Sequence, residues 1–299
     1  MNIKTSPGIH GHRGARGRLP ENSLIGIQYA MEQGCHGIEV DICVTADDVL
    51  VVHHDPILST DLVRKGDIWI DDSIRIRDCT LAELQQFDVG RIRPGSDYAK
   101  RFPDQRAIDK TTIPTLCEFI EKVISYSDDI VLNIEMKSAP EESGCFPSVD
   151  HYCHLLANLI SSPGLVERIF LQSFDWRLAV TMKTLMPNLF TGFLTDTQPD
   201  GSPKIPLSGQ ATMWTNFVDL SDYGDNIPKM IKTMGADVWS ANHLDLTLSD
   251  IQQAHEEGLK VYVWTVNDTR DMARMIEWGA DVITTDYPDR LRALMTMET

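Results

Sequence analysis

Short runs rich in β-branched residues recur along the chain, and most are followed by a segment with the spacing of an amphipathic helix. The candidate strands are 9–12 (IHGH), 36–43 (HGIEVDIC), 49–54 (VLVVHH), 130–137 (IVLNIEMK), 168–174 (RIFLQSF), 189–195 (LFTGFLT), 236–241 (ADVWSA), 260–266 (KVYVWTV) and 280–286 (ADVITTD). Helix starts are marked by Thr80-x-x-Glu83, Thr115-x-x-Glu118 and Thr247-x-x-Asp250, each fitting a capping box that satisfies two orphan backbone donors. Gly34, Gly258 and Gly279 stand before strands, where a left-handed residue ends a helix.

Strand and helix in alternation predict parallel β/α units. The expected fold is an α/β protein of the closed (β/α)8 TIM-barrel type, because closure leaves no edge strand; an open doubly wound sheet is the alternative. The nine candidate strands are one more than such a barrel needs. Residues 56–112 break the alternation: they are polar and far longer than an ordinary connection, and are expected to form a small inserted subdomain over one end of the barrel. With 299 residues, the whole of 1–299 is expected to be one barrel domain carrying that insertion.

Composition narrows the class of partner. Hydrophobic residues make up 42% and charged residues 24%, as in a soluble globular chain, and the net charge is −17. A pI near 4.8 argues against nucleic acid or an anionic membrane surface as a general partner. A small anionic substrate would need a local positive focus instead. No signal-peptide-like start and no run of about 18 apolar residues is present, so stable membrane insertion is not expected and a cytoplasmic location is. Cys35, Cys43, Cys79, Cys117, Cys145 and Cys153 show no C-x-x-C pair and read as buried or free thiols.

In a barrel, polar residues at the C-terminal ends of strands are the candidates for chemistry. Glu39 and Asp41 are two apart in GIEVDI and share one face of an extended strand. Two buried carboxylates repel unless they share a proton or bind a hard divalent cation such as Mg2+ or Ca2+. Glu135 ends another apolar run and is a candidate third oxygen ligand, with Lys137 two residues on as a fixed positive charge, although a plain ion pair would use the same residues. His10, His12, His53 and His54 cluster at two strand ends, and His12 with His54 could divide proton removal and proton donation. Trp264 and Phe174 suit either core or the flank of a ligand. In HGHRGARGRLPENS, the glycines and Arg13 suit an anion site: the glycines let backbone N–H groups approach a phosphate, and Arg13 is a two-pronged donor.

Taken in order, HRGARGRLPENS, EVDI, VVHHDP, LNIEMK, QSFD, VWTVN and ITTDYP resemble the glycerophosphodiester phosphodiesterase family, from about residue 8 to residue 290. The resemblance implies a triosephosphate-isomerase-type barrel with an insertion after the H-D strand. It places His12 and His54 as the acid/base pair and Glu39, Asp41 and Glu135 as ligands of a divalent metal ion. Arg13 and Lys137 would hold the phosphate, Glu21 and Asn22 would match the E-N pair near the metal, and Trp264 would be the aromatic beside the glycerol. Where an R-T-T-like stretch commonly follows H-D-P, this chain has Ile57-Leu58-Ser59-Thr60-Asp61, which bears on substrate preference. His53 is expected to face away from His54. The implied reaction is metal-dependent hydrolysis of glycerophosphodiesters, such as glycerophosphocholine and glycerophosphoethanolamine, to sn-glycerol 3-phosphate and an alcohol. Lysophospholipid cleavage at the same site is the nearest alternative. A sugar isomerase or aldolase, or a non-catalytic phosphodiester-binding protein, stands further off.

Overall fold

Eight of the nine candidate strands become barrel staves in the computed structural model, which describes residues 6–138, 140–141, 144–197 and 211–297. They are β1 Gly8–Gly11, β2 Gly37–Val44, β3 Val131–Met136, β4 Ile169–Ser173, β5 Phe190–Thr195, β6 Val238–Asn242, β7 Lys260–Trp264 and β8 Val282–Thr285. Each runs parallel to its neighbours, and β1 bonds both β8 and β2, so the sheet closes and the doubly wound alternative falls.

The ninth candidate is a correction. Of 49–54, only Leu50–Val52 is a strand, and it pairs antiparallel with β2, Ile42 opposite Val52 and Val44 opposite Leu50. Residues 45–49 are too few for a parallel crossover, so the chain must fold straight back; Asp48, at φ 59°, makes that turn. His53 and His54 follow this strand and are not part of it.

The helices are α1 Leu24–Glu32, α2 Leu116–Tyr126, α3 Val149–Ile160, α4 Trp176–Leu185, α5 Ile227–Thr233, α6 Leu248–Glu256, α7 Thr269–Trp278 and α8 Pro288–Met297. All three expected capping boxes form, on the short helix Leu81–Leu84, on α2 and on α6, each stabilising its helix by about 1 kcal/mol. Gly34, Gly258 and Gly279 adopt φ of +75°, +74° and +84°, the left-handed stops expected of them. Along α2, Leu116, Phe119, Ile120 and Val123 recur at helical spacing and are buried in the core that also holds Ile38, Val40 and Ile42 of β2. The intervening Glu39 and Asp41, equally buried, are left to face the barrel interior. Trp176 is fully buried and stacks on Phe193 with ring centroids 4.7 Å apart, while Trp239 is buried with its indole N–H on Thr195. No helix among the described residues is long and apolar enough to cross a membrane. Cys35, Cys43, Cys79, Cys117 and Cys153 are free thiols.

Residues 57–113 stand outside the strand-helix repeat. Two short antiparallel pairs, Ile57–Leu58 with Ile74–Arg75 and Arg64–Lys65 with Ile68–Trp69, are followed by the helices Leu81–Leu84 and Asp97–Arg101. Leu58, Leu62, Val63, Ile76, Leu84, Phe87 and Ile113 form a second apolar cluster, which reaches the barrel at Cys43 and Val51. The far end of this region packs on the loop after β1: Gln105 donates to the Arg16 carbonyl at 2.8 Å, and the Arg106 N–H to the Arg18 carbonyl at 2.9 Å.

Candidate active site

His12, Lys137, Phe174 and Asp286 each stand one residue past the end of β1, β3, β4 and β8, all at the C-terminal mouth. Trp264 is the last residue of β7. The sharp turn after β1 depends on two glycines. A Cβ on Gly11 would lie 2.2 Å from the Gly14 carbonyl oxygen, and Gly14 has φ +81° against the backbone of Gly26 in α1. Between them Arg13 takes φ 48°, unusual for a residue with a side chain. That conformation turns its N–H onto Glu39 Oε2 at 2.7 Å, and the Gly14 N–H reaches the Glu39 carbonyl at 3.2 Å. The strained loop is thus pinned to β2.

Glu39, Asp41 and Glu135 each offer an oxygen within 4.8 Å of the others, and all three are buried. Asp41 and Glu135 are paired across β2 and β3 by register. Glu39 Oε1 and Asp41 Oδ1 have no hydrogen-bond donor, an unusual state for buried carboxylate oxygens. Burial pushes the Glu39 carboxyl well up, with Asp41 and Glu135 adding to the effect. Burial also raises Glu135, against the pull of Lys137. Asp41 goes the other way: burial would raise it, but His54, Arg13 and Lys137 outweigh that and hold it below the usual carboxylate range. Asn22, itself at φ 52°, donates to Asp41 Oδ2 at 3.0 Å.

The cations are interleaved with these acids. Arg13 Nη1 donates to Glu21 at 2.9 Å, and its Nε lies 3.3 Å from Asp41 Oδ2. Lys137 Nζ donates to Glu135 Oε1 at 2.7 Å, lies 3.6 Å from Asp41 Oδ1 and meets His54 Nε2 at 3.1 Å. Burial would lower Lys137, yet Glu135 and Asp41 raise it, so it stays an ammonium ion. Four carboxyl groups (Glu21, Glu39, Asp41 and Glu135) are thus interleaved with two cations, Arg13 and Lys137.

Two imidazoles flank the carboxylates. His12 Nδ1 bonds Asp286 Oδ1 at 2.7 Å, which leaves Nε2 turned toward Glu39, 3.9 Å away. Asp286 is gripped by Arg16 through two bonds of 2.8 and 2.9 Å and by Asn267 at 2.7 Å. Burial alone would raise Asp286, but Arg16 and His12 hold it well below the usual range, so it is ionised. His54 Nδ1 bonds Asp55 at 2.6 Å. Burial, then Arg13 and Lys137, bring His54 down to about 4, and burial also lowers His12 although Asp286 opposes it. Phe174 and Trp264 meet edge to face at 5.5 Å, with the Lys137 Nζ 5.9 Å from the Phe174 ring centre.

Apart from His10, the residues singled out from the sequence lie around one mouth, but not all in the expected contact. Glu21 reaches the carboxylate trio through Arg13, whereas Asn22 touches Asp41 directly. His10 is removed from the cluster of four histidines: it lies inside the barrel, bonded to Asn133 at 3.3 Å and edge-on to Tyr262, and burial brings it down to about 3. His53 lines a small cavity together with Glu21, Asn22 and Gln105. Sequence reasoning missed Asp286, Arg16, Asn267 and Asp55. An acid directly after the last strand, in ITTDYP, was the available signal for Asp286.

A closed barrel with its ionisable groups gathered at the C-terminal mouth defines a barrel enzyme. Over residues 12–290 the chain matches the Glycerophosphoryl diester phosphodiesterase family, and it belongs to that family of enzymes. A glycerophosphodiester phosphodiesterase of Caldanaerobacter subterraneus subsp. tengcongensis is 28% identical over 280 residues, covering 94% of each chain. A crystal structure of a provisionally named glycerophosphoryl diester phosphodiesterase from Silicibacter pomeroyi DSS-3 superposes with a TM-score of 0.85 at 30% identity, covering 98% of this chain and 94% of that one. The fold is shared also with an Oleispira antarctica phosphodiesterase solved with its product sn-glycerol-3-phosphate, at TM-score 0.70, 21% identity and 97% coverage of both chains. Family membership sets aside the isomerase, aldolase and non-catalytic readings.

Proposed function

We propose that this enzyme hydrolyses glycerophosphodiesters such as glycerophosphocholine and glycerophosphoethanolamine to sn-glycerol 3-phosphate and an alcohol, using a divalent metal ion, Mg2+ or Ca2+. The observation that carries the reading is the trio of buried carboxylates within 4.8 Å, bordered by one imidazole near Glu39 and another beside the Glu135–Lys137 pair. An all-oxygen donor set with two undonated oxygens suits a hard cation. Glu39, Asp41 and Glu135 would hold it, and once bound it supplies Lewis-acid stabilisation of the charge that develops on the phosphoryl oxygens.

The chain's own residues divide the remaining work. Arg13 and Lys137 bind the phosphate's anionic oxygens, supplying the positive focus that the acidic chain otherwise lacks. As Lys137 turns to the phosphate it releases His54 Nε2, whose lone pair is then free because Nδ1–H is committed to Asp55. His54 accepts the proton of the nucleophile, either water or the neighbouring glycerol hydroxyl; in the second case the cyclic phosphate formed as the alcohol leaves is then opened by water to sn-glycerol 3-phosphate. His12, oriented through Nδ1 by the buried Asp286, delivers a proton from Nε2 to the leaving alcohol oxygen. Trp264 and Phe174 flank the glycerol moiety. Free thiols at Cys35, Cys43, Cys79, Cys117 and Cys153 suit a reducing compartment such as the cytoplasm.

The test is release of glycerol 3-phosphate from glycerophosphocholine by purified protein, with EDTA and after return of Mg2+ or Ca2+. Chelation should abolish turnover and one of the cations restore it. Activity indifferent to EDTA removes the metal from the reading. Faster cleavage of lysophosphatidylcholine than of glycerophosphocholine would replace the substrate class with lysophospholipids.

A further inference from the structure

The segment 97–106 touches the site at two points that the reaction above leaves unexplained. Tyr98, in the helix Asp97–Arg101, donates its hydroxyl to Glu21 Oε2, while Glu21 Oε1 accepts from Arg13 Nη1 at 2.9 Å. Phe102 lies under Arg16, whose guanidinium carbon is 4.5 Å from the ring centre, and Arg16 grips Asp286 behind His12. Residues four apart share a helix face, and the Tyr98 and Phe102 rings meet at 5.0 Å. The two chains of contact, Tyr98–Glu21–Arg13 and Phe102–Arg16–Asp286–His12, thus start from one small aromatic pair outside the barrel. Each ends on a different function of the mouth, phosphate binding in one case and proton donation in the other.

Neither arm is held by the barrel alone. Arg13 sits in a left-handed backbone conformation, and its guanidinium direction is set by Glu21 and Asp41. Without the Tyr98 hydroxyl, Glu21 loses the donor on its second oxygen. Arg16 is buried, and the Phe102 face covers it against water, which strengthens its hold on Asp286.

We propose that residues 97–106 form a two-armed positioning element, in which Tyr98 sets Arg13 for phosphate binding and Phe102 sets His12 for proton transfer. The proposal rests on the roles given to Arg13 and His12 above. Tyr98→Phe keeps the ring on Phe102 and removes one hydrogen bond to a charged group; it should raise KM for glycerophosphocholine and the Kd for inorganic phosphate by about tenfold each, with kcat within about twofold. In an Arg13→Lys background the same substitution should change neither. Phe102→Leu should lower kcat about tenfold with KM and phosphate affinity unchanged, and Phe102→Tyr, which returns an aromatic face to Arg16, should restore it. Either variant failing to show its own half of this division, with both folded by circular dichroism, overturns the proposal. If the unsubstituted enzyme turns over no phosphodiester, the functional reading fails separately. Phosphate calorimetry on Tyr98→Phe then still decides: a weakened Kd supports the Arg13 arm, and equal or absent binding in the two proteins overturns it.

Discussion

Behind His12 stands Asp286, fully buried and tied by four hydrogen bonds from His12, Arg16 and Asn267. Behind His54 stands Asp55, a half-exposed carboxylate one residue further along the same loop. The first arm draws its parts from β1, the loop after it, the loop after β7 and the end of β8, some 270 residues apart in sequence. The second is almost wholly local and borrows only Lys137 from β3. A carboxylate shielded from water stabilises an imidazolium far more than one that water already solvates. Two identical side chains at one mouth are thus backed by carboxylates of different character, one buried and fixed by several donors, the other partly solvated.

The largest effects should come from the imidazoles themselves. His12→Ala and His54→Ala should each cost about 10²–10⁴-fold in kcat while circular dichroism and metal affinity stay close to the parent; an unchanged kcat in either removes that residue from proton transfer. The carboxylates behind them should separate the arms. Asp286→Asn should lower kcat by about 10²-fold, by analogy with the loss of an orienting aspartate in a catalytic triad, whereas Asp55→Asn should lower it only about threefold. Equal losses in the two variants would erase the asymmetry.

The smallest effect is on stability. Because the Asp286 carboxyl is held below its ordinary value in the folded protein, its contribution is complete above about pH 4 and is lost as the pH falls through the folded value. Acid unfolding of the parent should therefore show about 2 kcal/mol more pH dependence below pH 4 than Asp286→Asn does. Chemical denaturation at several pH values measures it, and parallel profiles would show that Arg16 and His12 do not hold that charge.

Much of the site was legible because strands speak in a period of two. Glu39 and Asp41 among Ile38, Val40 and Ile42, and Glu135 after an apolar run, could be assigned to the barrel interior from spacing alone. His54 and Lys137 followed from their places at strand ends. The histidines also show the limit: His10 and His12 are two apart, yet His10 on β1 is enclosed in the barrel while His12, in the turn past its end, opens onto the mouth. Depth along the barrel axis, which depends on the stagger of the neighbouring strands, separates them. The surplus strand at 50–52 was misread because its composition is that of a stave, and only the short turn before it dictates an antiparallel return.

What the sequence by itself determined is the set of local choices: which runs extend, where helices start and stop, which face of β2 carries its carboxylates, and the residue types fit for phosphate and proton chemistry. These follow from backbone sterics, capping and side-chain periodicity, all of which act over a few residues. Tertiary structure alone decided the pairing of charges. Barrel closure brings β8 beside β1 and so puts Asp286 behind His12, and the packing of 97–106 on the loop after β1 puts Tyr98 against Glu21 and Phe102 under Arg16. Electrostatic partners are chosen by distance in space and by exclusion of water, and neither quantity exists until the chain has closed on itself.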